Sequence, residues 1–219
     1  MAHSLVKSIY LIRHAESVKN IGERFGDPKA QFSLTDEGIR QAENLAKLLS
    51  MELEDYDPEN IVIVSNQESR ANQTARVLYE KLHLQLLVLD ELNPIDSGYL
   101  SGMSELDAWN LYPEIMRKKE KYRKGLLDGY QLMYPGGESV VHFQGRVMKA
   151  FFSVISEQAQ DVFLFVGHQS TITAILSFYM NQSKRNKFYH YVKLDLCGIS
   201  RLNVENAEAG RIEYINRNI

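Results

Sequence analysis

The sequence predicts an α/β protein, a three-layer α/β/α sandwich around a mainly parallel central sheet. Three observations carry that prediction. Short apolar runs rich in β-formers recur along the chain, at Ser8–Ile12, Ile61–Val64, Leu86–Leu89 and Val162–Val166. Runs of that length and continuity read as strands buried on both faces. Stretches with helical spacing lie between them, and such alternation builds a parallel sheet with helices on either side. Two of the runs stop abruptly in polar residues, Arg13-His14 and Gly167-His168. In open α/β sheets, ligands sit outside the carboxyl ends of the strands.

The elements follow in order. After Ser8–Ile12 comes a polar loop, Glu16 to Phe32, with Gly22, Gly26 and Asp27-Pro28 as breakers. Thr35 is a good N-cap for a helix, with Asp36 and Glu37 in the first turn to suit its dipole. Ile39, Ala42, Leu45, Ala46 and Leu49 form its apolar stripe. A turn at Asp55–Asn60 leads into the strand Ile61–Val64. That strand ends in Ser65-Asn66-Gln67-Glu68-Ser69-Arg70, and a helix from Arg70 to His83 follows. After the strand Leu86–Leu89, the stretch from Asp90 to Gly137 is the least regular. It holds a turn-rich loop, a polar helical segment at Ser104–Leu111 and a charged run, Arg117–Lys124. The run reads as a solvated helix face, or as a basic rim that attracts an anion. Tyr134–Ser139 is a turn opening a long helix to Gln158. A helix from Ser170 to Met180 follows the His168 strand. Strands at Cys197–Val204 and Arg211–Ile215 close the chain, joined near Ala209-Gly210. No repeat or linker interrupts it, so residues 1–219 read as one domain, with residues 91–137 inserted over the substrate.

Composition excludes several classes. The 219 residues carry a net charge of −3, which leaves no general basic field for nucleic acid. The single Cys197 rules out an intramolecular disulfide, speaks against a cysteine metal site and suits a cytoplasmic location. The segment Met1–Lys7 has no apolar signal core. No apolar run approaches the ~20 residues of a membrane span, so no membrane partner is expected. A homo-oligomer is left open.

Chemistry converges at the strand ends. A lone histidine there is usually a hydrogen-bonded structural residue. Here, however, three separate junctions deliver Arg13 with His14, then Arg70, then His168. Two guanidiniums with two imidazoles suit a dianion such as a phosphate. Asn20 offers a neutral donor, and helix N-termini add backbone N–H groups. No P-loop, Gly-x-Gly-x-x-Gly or His-Glu-x-x-His motif is present. Ser170 lacks the surroundings of a nucleophile elbow.

These residues resemble the histidine phosphatase superfamily, also called the phosphoglycerate-mutase-like family, over nearly the whole chain. Arg13-His14-Ala15-Glu16-Ser17 with Asn20 is similar to its Arg-His-Gly/Ala-Glu-Ser/Thr signature. Leu34–Gly38 with Gln41-Ala42, Ser65 with Arg70–Ala75, Pro135–Ser139 with Arg146, and Val166-Gly167-His168 resemble its later segments, in order. The resemblance implies a phosphoglycerate-mutase-like fold and a phosphatase acting on small phosphomonoesters without metal or cofactor. His14 would take the phosphoryl group as phosphohistidine. Arg13, Arg70 and His168 would hold its oxygens. Asn20 would hydrogen-bond the phosphate, and Gln169 would add a backbone N–H.

One position departs from the family. Its usual proton-donating Glu stands two residues after the leucine that follows the third strand. Leu92-Asn93-Pro94 puts Pro94 there. The nearest carboxylate in the loop is Asp96, the expected substitute, with Glu91 and Glu105 behind it. Loss of a general acid costs roughly 10²–10⁴ in rate. The alternatives are a phosphoglycerate-mutase-type phosphoryl transferase and a weakly active or non-catalytic phosphoester-binding protein. The short stretch Tyr99–Tyr134 favours water as acceptor over the mutase. Lys121-Tyr122-Arg123 and the tyrosines before Pro135 are similar to the sugar-bisphosphatase branch.

Overall fold

The computed structural model describes residues 6–22, 24–26, 32–181, 188–206 and 209–218. The expected breaker Asp27-Pro28 and the segment Met1–Leu5 lie outside them. Six strands form one sheet: β1 (Lys7–Arg13), β2 (Ile61–Ser65), β3 (Gln85–Val88), β4 (Val162–Gly167), β5 (Ile199–Asn206) and β6 (Ala209–Arg217). Their order is β3-β2-β4-β1-β5-β6. The first four are parallel, while β5 and β6 run antiparallel at one side.

The alternation within the strands divides the core into two layers. Ile9 and Leu11 of β1, Val62 and Val64 of β2, and Phe163 and Phe165 of β4 join one apolar cluster. Tyr10 and Ile12, Ile61 and Ile63, and Val162 and Leu164 join the other. Successive side chains of a strand point to opposite faces, so a run apolar at every position is what two covered faces require. Helices α2 (Asp36–Glu52) and α3 (Ser69–Leu82) cover the second cluster with Ala42, Leu45, Leu49, Ala75 and Leu78. Helices α6 (Val140–Glu157) and α7 (Gln169–Met180) cover the first with Phe143, Val147, Phe151, Ile172 and Ile175. The three-layer sandwich expected from the sequence is the observed fold.

Local signals were read correctly where the chemistry is local. Thr35 caps α2, its Oγ1 accepting from Gly38 N at 2.9 Å. Ser139 caps α6 by accepting from His142 N. The loop expected over residues 16–32 contains a short helix, α1 (Val18–Ile21), capped by Ser17. Four residues are too few to show a helical period. The polar segment after residue 104 and the charged run form two helices, α4 (Glu105–Leu111) and α5 (Pro113–Arg123), broken at Tyr112-Pro113. The closing strands reach further than expected, to Asn206 and Arg217. Paired antiparallel ladders continue into polar residues that hydrophobic pattern alone does not mark.

The topology fixes where a site can form. The chain leaves β1 for β2 on one side and leaves β4 for β5 on the other, so β1 and β4 flank a switch point of the sheet. Arg13 pairs in register with Gly167, so the next residue of each strand is a histidine at the same crevice.

Candidate active site

His14 and His168 face each other with ring centroids 5.2 Å apart and planes tilted by 60°. Both are buried. The His14 backbone is tied down from two sides. Its N–H donates to Gly167 O at 2.9 Å, and Ala15 N donates to Thr74 Oγ1 on α3 at 3.1 Å. His14 Nδ1 donates to Ala15 O at 2.8 Å, because a carbonyl can only accept. That leaves Nε2 with a lone pair, and Arg70 Nε donates to it at 3.3 Å. Burial, then the charge of Arg70, holds His14 well below the usual histidine pKa. The imidazole is therefore neutral near pH 7, with its lone pair on Nε2.

Arg70 lies in the first turn of α3 and is almost fully buried. Glu68 pairs with it, Arg70 Nη1 donating to Glu68 Oε2 at 2.6 Å. Asn66, also buried, organises the same turn. Its Nδ2 donates to Leu92 O, and its Oδ1 accepts from Glu68 N. The same Oδ1 accepts from His168 Nε2 at 3.2 Å, which fixes that ring and leaves Nδ1 buried without a protein partner. Burial, with Arg70 and then His14, lowers the pKa of His168 as well. Arg13 donates from Nη1 to Leu194 O at 2.5 Å, while its buried Nε has no protein partner. Arg13 Nε, a donor, and His168 Nδ1, an acceptor in the neutral ring, thus both lack protein partners, and their side chains border one cavity with His14 and Arg70.

That cavity holds about 230 Å³. Among the described residues, six lysine and arginine side chains line it, Arg13, Lys19, Arg24, Arg70, Lys119 and Arg123, against one carboxylate, Glu105. Its other walls are aromatic and apolar: Phe25, Tyr122, Tyr134, Phe143, Tyr189 and Tyr191. The charged run is mostly a solvated helix face, with two of its side chains turned to the cavity. Arg117, Lys118, Lys121 and Lys124 are exposed, while Lys119 and Arg123 face the cavity one helical turn apart.

The expected site residues divide. Arg13, His14, Arg70, His168 and Gln169 meet at the cavity. The Gln169 side chain is occupied with positioning the wall: Nε2 donates to Val192 O and Oε1 accepts from Leu194 N. Its backbone heads α7 directly after His168. Asn20 does not line the cavity, and its Oδ1 accepts from Ser17 N and Ser17 Oγ instead. Asp96 is also absent from the cavity wall. It is exposed, and its Oδ1 accepts from Gly98 N at 2.8 Å, closing its own turn. Ser170 lines the cavity and accepts from Ile95 N. Asn66 and Glu68, which orient His168 and Arg70, stood in the polar strand end but were not singled out. The strand-end rule that selected Arg70 applies to them equally.

The comparisons agree with this geometry. Residues 9–218 match the histidine phosphatase superfamily (branch 1). The chain belongs to that family. It is 30% identical to a fructose-2,6-bisphosphatase of Saccharomyces cerevisiae over 176 residues, 80% of this chain and 34% of that one. It is 26% identical to a probable phosphoglycerate mutase of Proteus mirabilis over 200 residues, 91% of this chain and 86% of that one. The chain spans about a third of the length of the yeast relative. The fold is also that of a mycobacterial glucosyl-3-phosphoglycerate phosphatase, with a TM-score of 0.78 at 19% identity, covering 97% of this chain and all of that one. Among the described residues, no helix is long and apolar enough to cross a membrane.

Proposed function

We propose that the chain hydrolyses phosphomonoesters through a phosphohistidine at His14 Nε2. The observation that carries the reading is a neutral, buried Nε2 lone pair beside Arg70, Arg13 and a second buried imidazole. His14 attacks phosphorus, and covalent transfer divides one difficult displacement into two easier ones. Arg70 Nε shifts its hydrogen bond from His14 to a phosphoryl oxygen. Arg13 and the Gln169 backbone N–H hold the others, His168 joins them once its Nδ1 has taken a proton from the arriving phosphoester, and this arrangement stabilises charge as it develops. Glu68 and Asn66 keep those donors aimed, and Asn20 acts one step back by fixing the Ser17 turn. In this reading the guanidiniums supply the charge stabilisation, so no metal is required.

The substrate is a small phosphoester with a second anionic group, held under residues 91–137. The excess of cationic side chains over the single Glu105 exceeds what one phosphate needs. Fructose-2,6-bisphosphatase relatives make a sugar bisphosphate the first compound to test. A cytoplasmic location fits such a metabolite and the lone, buried Cys197.

Hydrolysis of p-nitrophenyl phosphate is the first test. Wild type should turn over and yield an acid-labile, base-stable phosphoenzyme, while His14→Ala should lose at least about 10³-fold, the scale of removing a covalent nucleophile. EDTA should leave the rate unchanged. Full activity in His14→Ala, or loss with EDTA that Mg²⁺ restores, would refute the mechanism. Pro94 favours a second reading, a phosphoester-binding protein without turnover; phosphate binding with no phosphoenzyme would select it.

A further inference from the structure

An alkoxide leaving group needs a proton as its bond to phosphorus breaks. Among the described residues, no carboxylate at the cavity is placed to give one. Pro94 carries no ionisable group, and Asp96 faces its own turn outside the cavity. Glu105 lines the cavity but bridges Lys119 at 2.9 Å and Arg123 at 3.0 Å. Burial pulls the Glu105 pKa upward, yet those two cations outweigh it and hold it below the usual range. Glu68 is tied to Arg70.

Lys19 is different. It sits on α1, five residues after His14, and its side chain lines the cavity. No hydrogen bond or ion pair among the described residues engages its ammonium. A Cβ at Gly26 would lie 4.0 Å from Lys19 Cε and 3.9 Å from Arg70 Nη2, so the Lys19 stem and the guanidinium that bonds His14 border the same point of the cavity wall.

Resting on the phosphohistidine reading, we propose that Lys19 is the proton donor to the leaving oxygen and then the base that activates water. In the first half, His14 Nε2 forms the bond to phosphorus. The P–O bond breaks, and the Lys19 ammonium gives its proton to the departing alkoxide, leaving a neutral amine. In the second half, that amine takes a proton from water. The oxygen bonds to phosphorus, the P–N bond breaks, and its electron pair returns to His14. Hydrogen phosphate leaves with Lys19 an ammonium again. The environment suits a group that must lose and regain a proton near neutrality. Burial, followed by Arg70, Arg13 and Lys119, lowers Lys19 to about 7, with Glu68 opposing. Lys119 is lowered only to about 8, and it is committed to Glu105 and to the face of Phe25.

The test compares glycerol-2-phosphate, an alkyl ester, with p-nitrophenyl phosphate, whose phenolate leaves without help. In both cases kcat/KM reports events up to phosphorylation of His14. Lys19→Arg keeps a cation but cannot release a proton at working pH. It should lower kcat/KM about 10²-fold on the alkyl ester and less than about 5-fold on the aryl ester. Wild type should show a fall in alkyl-ester kcat/KM above about pH 7, since only the ammonium donates, and the variant should abolish it. Should the arginine variant fail to fold, by thermal unfolding, Lys19→Gln is read by the same ratio. Equal losses on both esters would make Lys19 an anion ligand and overturn the proposal, as would no loss on either. A wild type that forms no phosphohistidine from the aryl ester would overturn the underlying reading instead.

Discussion

Asn66 is a small side chain with three tasks: it ties Leu92, Glu68 and His168 together in a buried turn. Asn66→Ala leaves the Glu68 N–H and the His168 Nε2–H unpaired, while Leu92 O keeps Thr171 Oγ1, at about 1–3 kcal/mol for each lost partner before relaxation. The expected result is a drop in melting temperature of several degrees, together with a raised KM for phosphoesters because the His168 ring is released. An unchanged KM would mean that packing alone orients the ring. At this scale the sequence was legible where a side chain acts at the end of its own strand. Arg13, His14, Arg70 and His168 were found that way. Asn20 and Asp96 were expected in the site because they are near it in sequence, but a side chain two or three residues into a turn can bond its own backbone, and both do. Lys19 was passed over because nothing local separates a cavity lysine from a surface one.

Two turns lock together over the cavity. Gly98 adopts a left-handed φ of 56° where a Cβ would fall 2.2 Å from Pro135 O. Tyr99 N donates to that carbonyl, and Glu138 N donates to Asp96 O. Arg146, paired with Glu138, donates to Glu91 O and Asn93 O. This strap holds the Pro94 loop against the start of α6. Gly98→Ala combines a disfavoured conformation with a backbone collision, so it should destabilise by more than about 2 kcal/mol and loosen the 91–98 loop. Hydrogen exchange of Tyr99 and Glu138 amides would show the loosening; unchanged protection would place the strap's strength in Arg146. Caps and apolar stripes made α2 and α6 legible in sequence. The strap was not, because it joins residues some forty positions apart through backbone groups that every sequence carries. The end of α4 at Leu111 was legible too, and Pro113 is the residue that begins α5.

The paired histidines make the whole fold sensitive to acid. Burial keeps both well below the ordinary pKa, whereas in the unfolded chain they return to about 6.5. Below that value the unfolded chain binds protons that the native state refuses, so stability falls as pH drops and is level above it. The melting temperature should decline between pH 6.5 and 5, before most carboxylates titrate, and His168→Gln should shallow the decline. A flat profile in that window would show that the folded histidines protonate freely.

The sheet order has a consequence for the birth of the protein. β1 lies between β4 and β5, and both partners come far later in the chain, at Val162–Gly167 and Ile199–Val204. A ribosome adding about 5–20 residues per second therefore leaves this apolar strand without either neighbour for roughly ten seconds or longer. Everything made in the interval, including the Arg70 helix, must wait for β4 before it can share a sheet with His14. Nascent chains stopped before Val162 should remain protease-sensitive at β1 and engage chaperones there, and extension through Val204 should abolish both; early protection of β1 would mean that a non-native partner covers it. His14 thus stands at the end of the segment most in need of shelter during synthesis.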